Sequence, residues 1–343
     1  MKKSLLALAV LTAVSGAASA QSSVTIYGKV DLGLVLDSGS AAGKSIRLDS
    51  GVTGGSRIGF KGVEDLGGGM KAAFQLETGF CADSAAPVVS NGASVPNFCT
   101  GSNSFMGRQA HGDLTGAFGA ISAGRQYSLG FNNLSTIDPF GTGFAGQVNN
   151  IVDPSGIRLN NSATYSTPNI GGITGSVEIA LGEQTGNWQA NRETGAGLTY
   201  ASGPAYAGFT FYDVGNAQGN GAARKNYLLG GTYDFGVVKV HALAQKSTGA
   251  STLDVLDLMG GVTIPVAGGQ VLASYIHHND RTSANKDASQ VGVGYLYPLS
   301  KRTSIYSAFA KIANQNGATF TVGNATAAGT GDKAFNLGVV HNF

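Results

Sequence analysis

Charged side chains recur on odd-numbered positions early in this chain: Lys29, Asp31, Arg47, Asp49, Arg57, Lys61, Lys71 and Glu77. In an extended segment, residues of one parity share one face, so cations and anions would stand together on a single surface. The chemistry open to such a surface is electrostatic. Fixed charges orient dipoles and sort ions, and at an effective dielectric of about 20 one unmatched charge ~4 Å from an ion is worth roughly 4 kcal/mol. Lys239 and His241 alternate with Val238 and Val240, so they read as members of such a face and not as a catalytic pair.

Covalent chemistry has weaker signals. Gly141-Thr142-Gly143-Phe144-Ala145-Gly146 spells a dinucleotide fingerprint, but it lacks the preceding strand, the following helix and the later acidic residue that the motif needs. A hydrolase built on a Ser/His site would need a histidine beside a serine on an outer surface. His277 and His278 border a loop and His341 ends the last segment, so no enzyme is expected. Cys81 and Cys99 lie in a stretch rich in Ser, Asn, Gly and Pro. Without a histidine or further cysteine at ligand spacing, no metal and no cofactor is expected. Beyond an inner membrane, thiols oxidise, and the two read as an intraloop disulfide worth on the order of 3 kcal/mol; two free thiols are the alternative.

The elements that must carry these residues are strands. Val24, Ile26, Val30, Leu32, Leu34 and Leu36 oppose Thr25, Tyr27, Lys29 and Asp31; Ile46, Leu48, Val52, Ile58 and Phe60 oppose Arg47, Asp49, Thr53, Arg57 and Lys61; Met70, Ala72, Phe74 and Leu76 oppose Lys71, Gln75 and Glu77. Parity alone does not separate a soluble sandwich from a barrel whose apolar face meets lipid, but the charge on the second face is excessive for a sealed core. Met1 to Ala20 has a basic start, an apolar run and Ala18-Ser19-Ala20 before Gln21, the pattern of a secretory leader cleaved before Gln21. Losing Lys2 and Lys3 leaves 22 − 2 = 20 basic residues against 20 acidic ones, and a neutral chain gives no support to a nucleic-acid partner. No apolar run after the leader approaches the ~18 to 20 residues of a membrane helix.

Short turns alternate with long polar loops along residues 21–343, and the segments between them number sixteen. Such asymmetry is that of an antiparallel transmembrane β-barrel with short periplasmic turns and long extracellular loops. The segment Leu253 to Met259 alternates poorly. A barrel of this size cannot fill itself with side chains and encloses water. The longest loop, about 128–160, carries Phe131, Asp138, Phe140, Phe144 and Asp153, too many apolar groups for a free loop, and it is expected to fold into the lumen. Outward aromatics are expected from Tyr206, Phe209, Phe211, Tyr227, Tyr233, Tyr275, Tyr295 and Tyr297, as interfacial girdles.

Several stretches resemble the general porins of beta-proteobacteria: Ser23 to Gly28, Ser56 to Gly69, Gly124-Arg125-Gln126, Asp138 to Gly141, Leu299 to Thr303 and the terminal Val340 to Phe343. The resemblance implies a 16-stranded barrel with an inward third loop, a homotrimer in outer-membrane lipid, and passive flow of small hydrophilic solutes and ions with an anion preference. It also implies that Phe343 is the signal read by the barrel-assembly machinery. Arg57, Arg108 and Arg158 match arginines of the family's motifs and, with Lys61 nearby, are expected to face Asp138 or Asp153 on the inward loop. Lys29 and Arg47 complete the expected constriction set. Arg125 has the parity of Ile121 and Ala123, which keeps it out of this set unless a bulge intervenes. His111 stands where relatives more often carry an aromatic or apolar residue. A substrate-specific channel, or an adhesin using the loops of the same barrel, is the alternative function.

Overall fold

A computed structural model describes residues 23–41, 43–84, 88–90, 93–95, 105–249, 253–322 and 331–343. The leader 1–20 and Cys99 lie outside them. The strands are β1 (Ser23–Ser40), β2 (Gly43–Ser50), β3 (Arg57–Gly67), β4 (Met70–Gly79), a separate small hairpin β5 (Val88–Ser90) and β6 (Ala93–Val95), β7 (Gln109–Gly116), β8 (Gly119–Tyr127), β9 (Arg158–Ser166) and β10 (Ile173–Ala180). They continue as β11 (Glu193–Ser202), β12 (Ala205–Gly215), β13 (Ala222–Asp234), β14 (Lys239–Gly249), β15 (Asp254–Val266), β16 (Gly269–Asp280), β17 (Ala288–Pro298), β18 (Thr303–Asn314) and β19 (Lys333–Asn342).

Seventeen of these segments form one antiparallel sheet. They amount to sixteen barrel strands, because β1 pairs with β2 along its second half and with β3 along its first, so that β2 and β3 are one strand interrupted at residues 51–56. The sheet closes where β19 runs beside β1, from Lys29 opposite Asn342 to Ser38 opposite Lys333. Reciprocal bonds between Gly28 and Phe343 (Gly28 N to Phe343 O 3.0 Å, Phe343 N to Gly28 O 3.1 Å) finish the seam. A Cβ on Gly28 would run into the Phe343 ring, so the glycine is the receptacle for the last aromatic.

The interruption has a chemical cause. Gly51 and Gly54 take φ of +79° and +119°, a region closed to most L side chains, and the chain bulges inward around Asp31. The Asp31 carboxylate accepts from Thr53 N (2.5 Å), Thr53 Oγ1 (2.9 Å) and Tyr306 Oη (2.7 Å), which replaces the lost ladder bonds. Val52, expected on the lipid face by parity, is therefore turned inward and buried against Val35, Tyr306 and Val340.

Residues between β8 and β9 pack against the inner wall. Helix α1 (Leu129–Ile137) is capped by Ser128, whose hydroxyl accepts from Phe131 N at 3.1 Å. Its buried Leu134 and Ile137 join Phe140, Val148 and Val152 of the loop with inward Leu228, Leu243, Met259, Leu272 and Ile276 of the wall. This inner core accounts for the poor alternation of Leu253 to Met259: Val255 and Met259 are buried inside while Leu258 is exposed outside, so both faces of β15 are apolar. Tyr206 also departs from expectation. It faces inward and donates to Asn133 of α1, because its parity on β12 is opposite to that of Phe209 and Phe211.

Candidate functional site: a cationic throat

The loop is fixed at several points. The Asp138 carboxylate accepts from the backbone N–H groups of Phe140 (3.0 Å), Thr142 (2.9 Å) and Val148 (3.0 Å), closing the tip on itself. Burial pushes its carboxyl up to about 6, with the three N–H donors pulling the other way. Gln290 of β17 donates to the carbonyls of Gly146 (3.0 Å) and Gln147 (3.1 Å) and accepts from Asn150 (2.8 Å). On the return, Asn226 and Gln245 donate to the Asp153 carbonyl at 3.1 and 2.8 Å. Finally, Phe144 N donates to Val52 O at 2.7 Å across the gap in the second strand, and its ring meets Tyr306 edge-on at 5.2 Å.

The part of the inner wall left uncovered carries the cations. Glu77, 2 % exposed, is the hub. Arg108 Nε donates to it at 2.7 Å, Tyr27 Oη donates at 3.0 Å, and Arg57 lies 3.7 Å away. The Tyr127 hydroxyl accepts from Arg108 (2.7 Å) and Arg158 (2.8 Å), and the Arg158 guanidinium lies 4.4 Å from the centre of the same ring. Phe131 of α1 stacks on Tyr127 with ring centroids 4.8 Å apart. Arg158 Nε is buried and has no acceptor among the described residues. Lys29 Nζ and Arg57 Nη2 flank Gly54: a Cβ there would stand 3.9 and 3.8 Å from them.

Four of the expected residues, Lys29, Arg57, Arg108 and Arg158, are thus brought together. Lys61 sits further toward the short-turn rim with its Nζ 5.4 Å from the centre of the Tyr27 ring, and Arg47 lies toward the long-loop rim, paired with Asp37 (2.6 Å) and Asp49 (3.1 Å). The loop carboxylates are not where they were expected. Asp138 is taken up by three N–H groups of its own loop while lining the open cavity with Lys29, and Asp153 pairs with Arg224 of β13; among the described residues neither makes an ion pair with the three arginines. Glu77 takes that place. Its odd number, shared with Arg57, was the available signal; Tyr127, preceding the loop, had none beyond adjacency.

His111 is a lumen residue, 3.0 Å from Asp113 and 3.3 Å from Ser122. A bulge does occur in the pairing of β8 between Gly124 and Gln126, and Arg125 bonds the Gly107 carbonyl (2.6 Å) and Asn160 (2.5 Å) outside the cluster. Lys239 and His241 are on the inner wall, lining with Lys29, Thr53 and Phe140 an open cavity of about 650 Å³. His241 is held to Ile137 O at 2.7 Å and Thr263 Oγ1 at 3.1 Å.

On the outer face, His277 Nδ1 lies 3.1 Å from Ser289 Oγ, a proximity that sequence did not anticipate. Tyr275 Oη reaches the same hydroxyl at 3.2 Å. Among the described residues no carboxylate pairs with His277 to orient it; Asp257 is bound to the neighbouring His278 at 2.6 Å. The arrangement therefore lacks the third member of a nucleophilic site.

The profile of the Gram-negative porin family matches residues 7–318. Outer membrane porin protein 32 of Delftia acidovorans is 34 % identical over 371 aligned positions, covering 100 % of both chains. An outer membrane porin protein of Bordetella pertussis is 31 % identical, covering 90 % of this chain and 93 % of its own. Among solved structures, the anion-selective porin from Comamonas acidovorans superposes with a TM-score of 0.78 at 29 % identity, covering 94 % of this chain and 100 % of that one.

Proposed function

The chain belongs to the Gram-negative porin family, and from that premise we propose that Lys29, Arg57, Arg108 and Arg158 make its outer-membrane diffusion channel favour anions. The observation that carries this reading is the charge count at the throat. Four cations surround Glu77, which is buried under Arg108 and Tyr27, and the nearby Asp31 carboxylate is occupied by Thr53 and Tyr306. A passing ion meets guanidinium and ammonium groups with little compensating charge, in a space walled by a loop with an apolar interior. The uncompensated Arg158 Nε–H and the likeness to a structure described as an anion-selective porin support the same reading. An overall neutral chain does not oppose it, because distant rim charges are screened by salt. Planar-bilayer recording in a KCl gradient tests it: the wild type should show a reversal potential on the anion side and Arg57→Glu should move it toward cations. A cation-side potential for the wild type would sink the proposal.

Further parts of this reading rest on separate observations. The tyrosines of the outer face support a homotrimer: Tyr165, Tyr200, Tyr227, Tyr233, Tyr275, Tyr295 and Tyr297 all lie on β9 to β17, and β18, β19, β1 to β4, β7 and β8 carry none outward. Tyrosine marks a lipid headgroup boundary, so the arc without it is the side covered by neighbouring subunits. Cleavage before Gln21 gives the exported chain. No cysteine is free among the described residues, which supports pairing of Cys81 with Cys99. Phe343, seated on Gly28, is available as the terminal signal for the assembly machinery only before closure. The relatives are channels rather than enzymes, and this chain is read as a channel with them. The open cavity of about 650 Å³ beside the loop, lined by both polar and apolar side chains, favours general diffusion over a substrate-specific channel.

A further inference from the structure

On the short-turn side of the throat the inner wall has a second character. Inward residues there form rows across β4, β7, β8 and β9: Gln75 opposite His111, Asp113 opposite Ser122 and then Thr164, and Ala120 opposite Ser166. Phe74, Leu114, Ile121 and Tyr165 alternate with them and are exposed on the outer face. The inward side chains of β8, Ala120 and Ser122, are small, whereas β13, β14 and β16 present Leu228, Leu243 and Ile276 to the rest of the loop. A hollow of about 300 Å³ results, with Leu129 and Asn132 of α1 closing one side. Its size is at the lower end of the ~300 to 1,000 Å³ of small-molecule sites, which leaves room for one sugar ring.

Charge is balanced in this hollow. Asp113 and His111, the one acid and the one base that line it, lie 3.0 Å apart and answer each other. Ser122 Oγ is 3.3 Å from the same His111 Nδ1, and the Nε2 of that ring has no partner among the described residues. Amides supply most of the remaining polarity. Gln75 donates to Tyr27 Oη at 2.7 Å and Gln126 to Ser162 Oγ at 3.1 Å, which fixes both side chains and leaves their carbonyl oxygens unused by the described protein. Gln109 and Asn132 make no side-chain hydrogen bond among the described residues, so each can both give and accept one. Leu129 and Tyr127 add apolar surface beside them. Closely spaced donors and acceptors without net charge, next to an apolar strip, match a ring that carries hydroxyls on its rim and C–H bonds on its face. A simple ion gains little from them.

We propose that this hollow is a binding subsite for neutral sugars passing through the channel. It rests on the chain being an open channel and not on the ion preference proposed above, and one shallow subsite delays a class of solute without excluding others. The test is planar-bilayer recording of the full chain in symmetric KCl, with D-glucose as probe and a polyethylene glycol of equal hydrodynamic size as control. In the wild type, glucose should lower the conductance saturably, whereas the polymer should lower it in proportion to its concentration. Loss of one neutral hydrogen bond is about a fivefold effect, so Gln109→Leu combined with Asn132→Leu should raise the half-saturating glucose concentration about 25-fold. Ala120→Leu, which fills the hollow and removes no hydrogen bond, should abolish saturation. Sugar-free conductance and the reversal potential in a KCl gradient should keep their wild-type values in both variants, which shows an intact barrel. A wild-type response to glucose as linear as that to the polymer would overturn the proposal. So would wild-type saturation in both variants, or a loss of saturation only together with a shifted reversal potential, which places the effect at the throat. A cation-side potential beside saturable block in the wild type would instead count against the anion preference alone.

Discussion

The two arcs of this barrel solve opposite problems with the same strand geometry. From β12 to β17 the inner wall is apolar, with Leu228, Leu243, Met259, Leu272 and Ile276 buried under the inward loop, and the outer face carries tyrosines. From β1 to β9 the inner wall holds Lys29, Arg57, Glu77, Arg108 and Arg158 in contact with the water-filled passage, and the outer face carries aliphatic residues such as Ile26, Ile46 and Leu48. A sealed inner wall supports the loop, and an open one carries the charged groups proposed to sort ions. The loop is consequently a partition, with one side built for packing and the other, where Phe131 meets Tyr127, presented to solutes.

Leu134→Ala would strike the comparison hardest. Leu134 is fully buried between loop and wall, and truncation of such a leucine costs about 2 to 5 kcal/mol. The loop should detach part of the time, seen as larger and noisier single-channel conductance and faster proteolysis within 128–157. An equivalent truncation on the open arc, Leu48→Ala, should leave conductance unchanged. Asp138→Ala comes next: losing the acceptor of three buried N–H groups should cost about 1 to 3 kcal/mol, read by the same proteolysis assay.

The pH response sharpens the same boundary. Burial raises the Asp138 carboxyl from 3.8 to about 6, so the docked loop holds a proton more firmly than the unfolded chain does. Its contribution to docking is therefore full below the ordinary carboxylate value and is lost as pH rises through about 6. Proteolysis of the wild-type loop should quicken across that interval, and Asp138→Asn should flatten the profile; an unchanged slope in the variant would assign the titration elsewhere. The smallest effect belongs to the girdle. Tyr297→Ala, on the tyrosine arc, should lower thermal stability in lipid by no more than about 1 kcal/mol, measured by the temperature at which the folded band is lost on gels.

Much of this division was readable in the residues before any coordinates. Alternation in β1, β2, β3 and β4 identified both faces, and the repeated odd-numbered cations identified the inner one. What alternation could not express was a third environment, the dry inner core, where apolar residues on both faces of β15 erase the period. The loop carboxylates were misassigned for a related reason: Asp138 sits in an Asp-Pro-Phe-Gly turn and serves backbone N–H groups, a role with no long-range partner to read from sequence. Val52 changed sides because Gly51 and Gly54 permit a detour that parity counting passes over.

That detour carries a consequence for how the molecule is made. Phe144 is secured by Val52 from the second strand and Tyr306 from the fifteenth, and Tyr306 itself is bonded to Asp31 of the first. These contributors come together only when the earliest and latest parts of the polypeptide meet at the seam. An assembly intermediate lacking its last hairpin lacks the Tyr306 that holds both Phe144 and Asp31, so the gap beside the loop tip takes its final shape last, after the wall is whole.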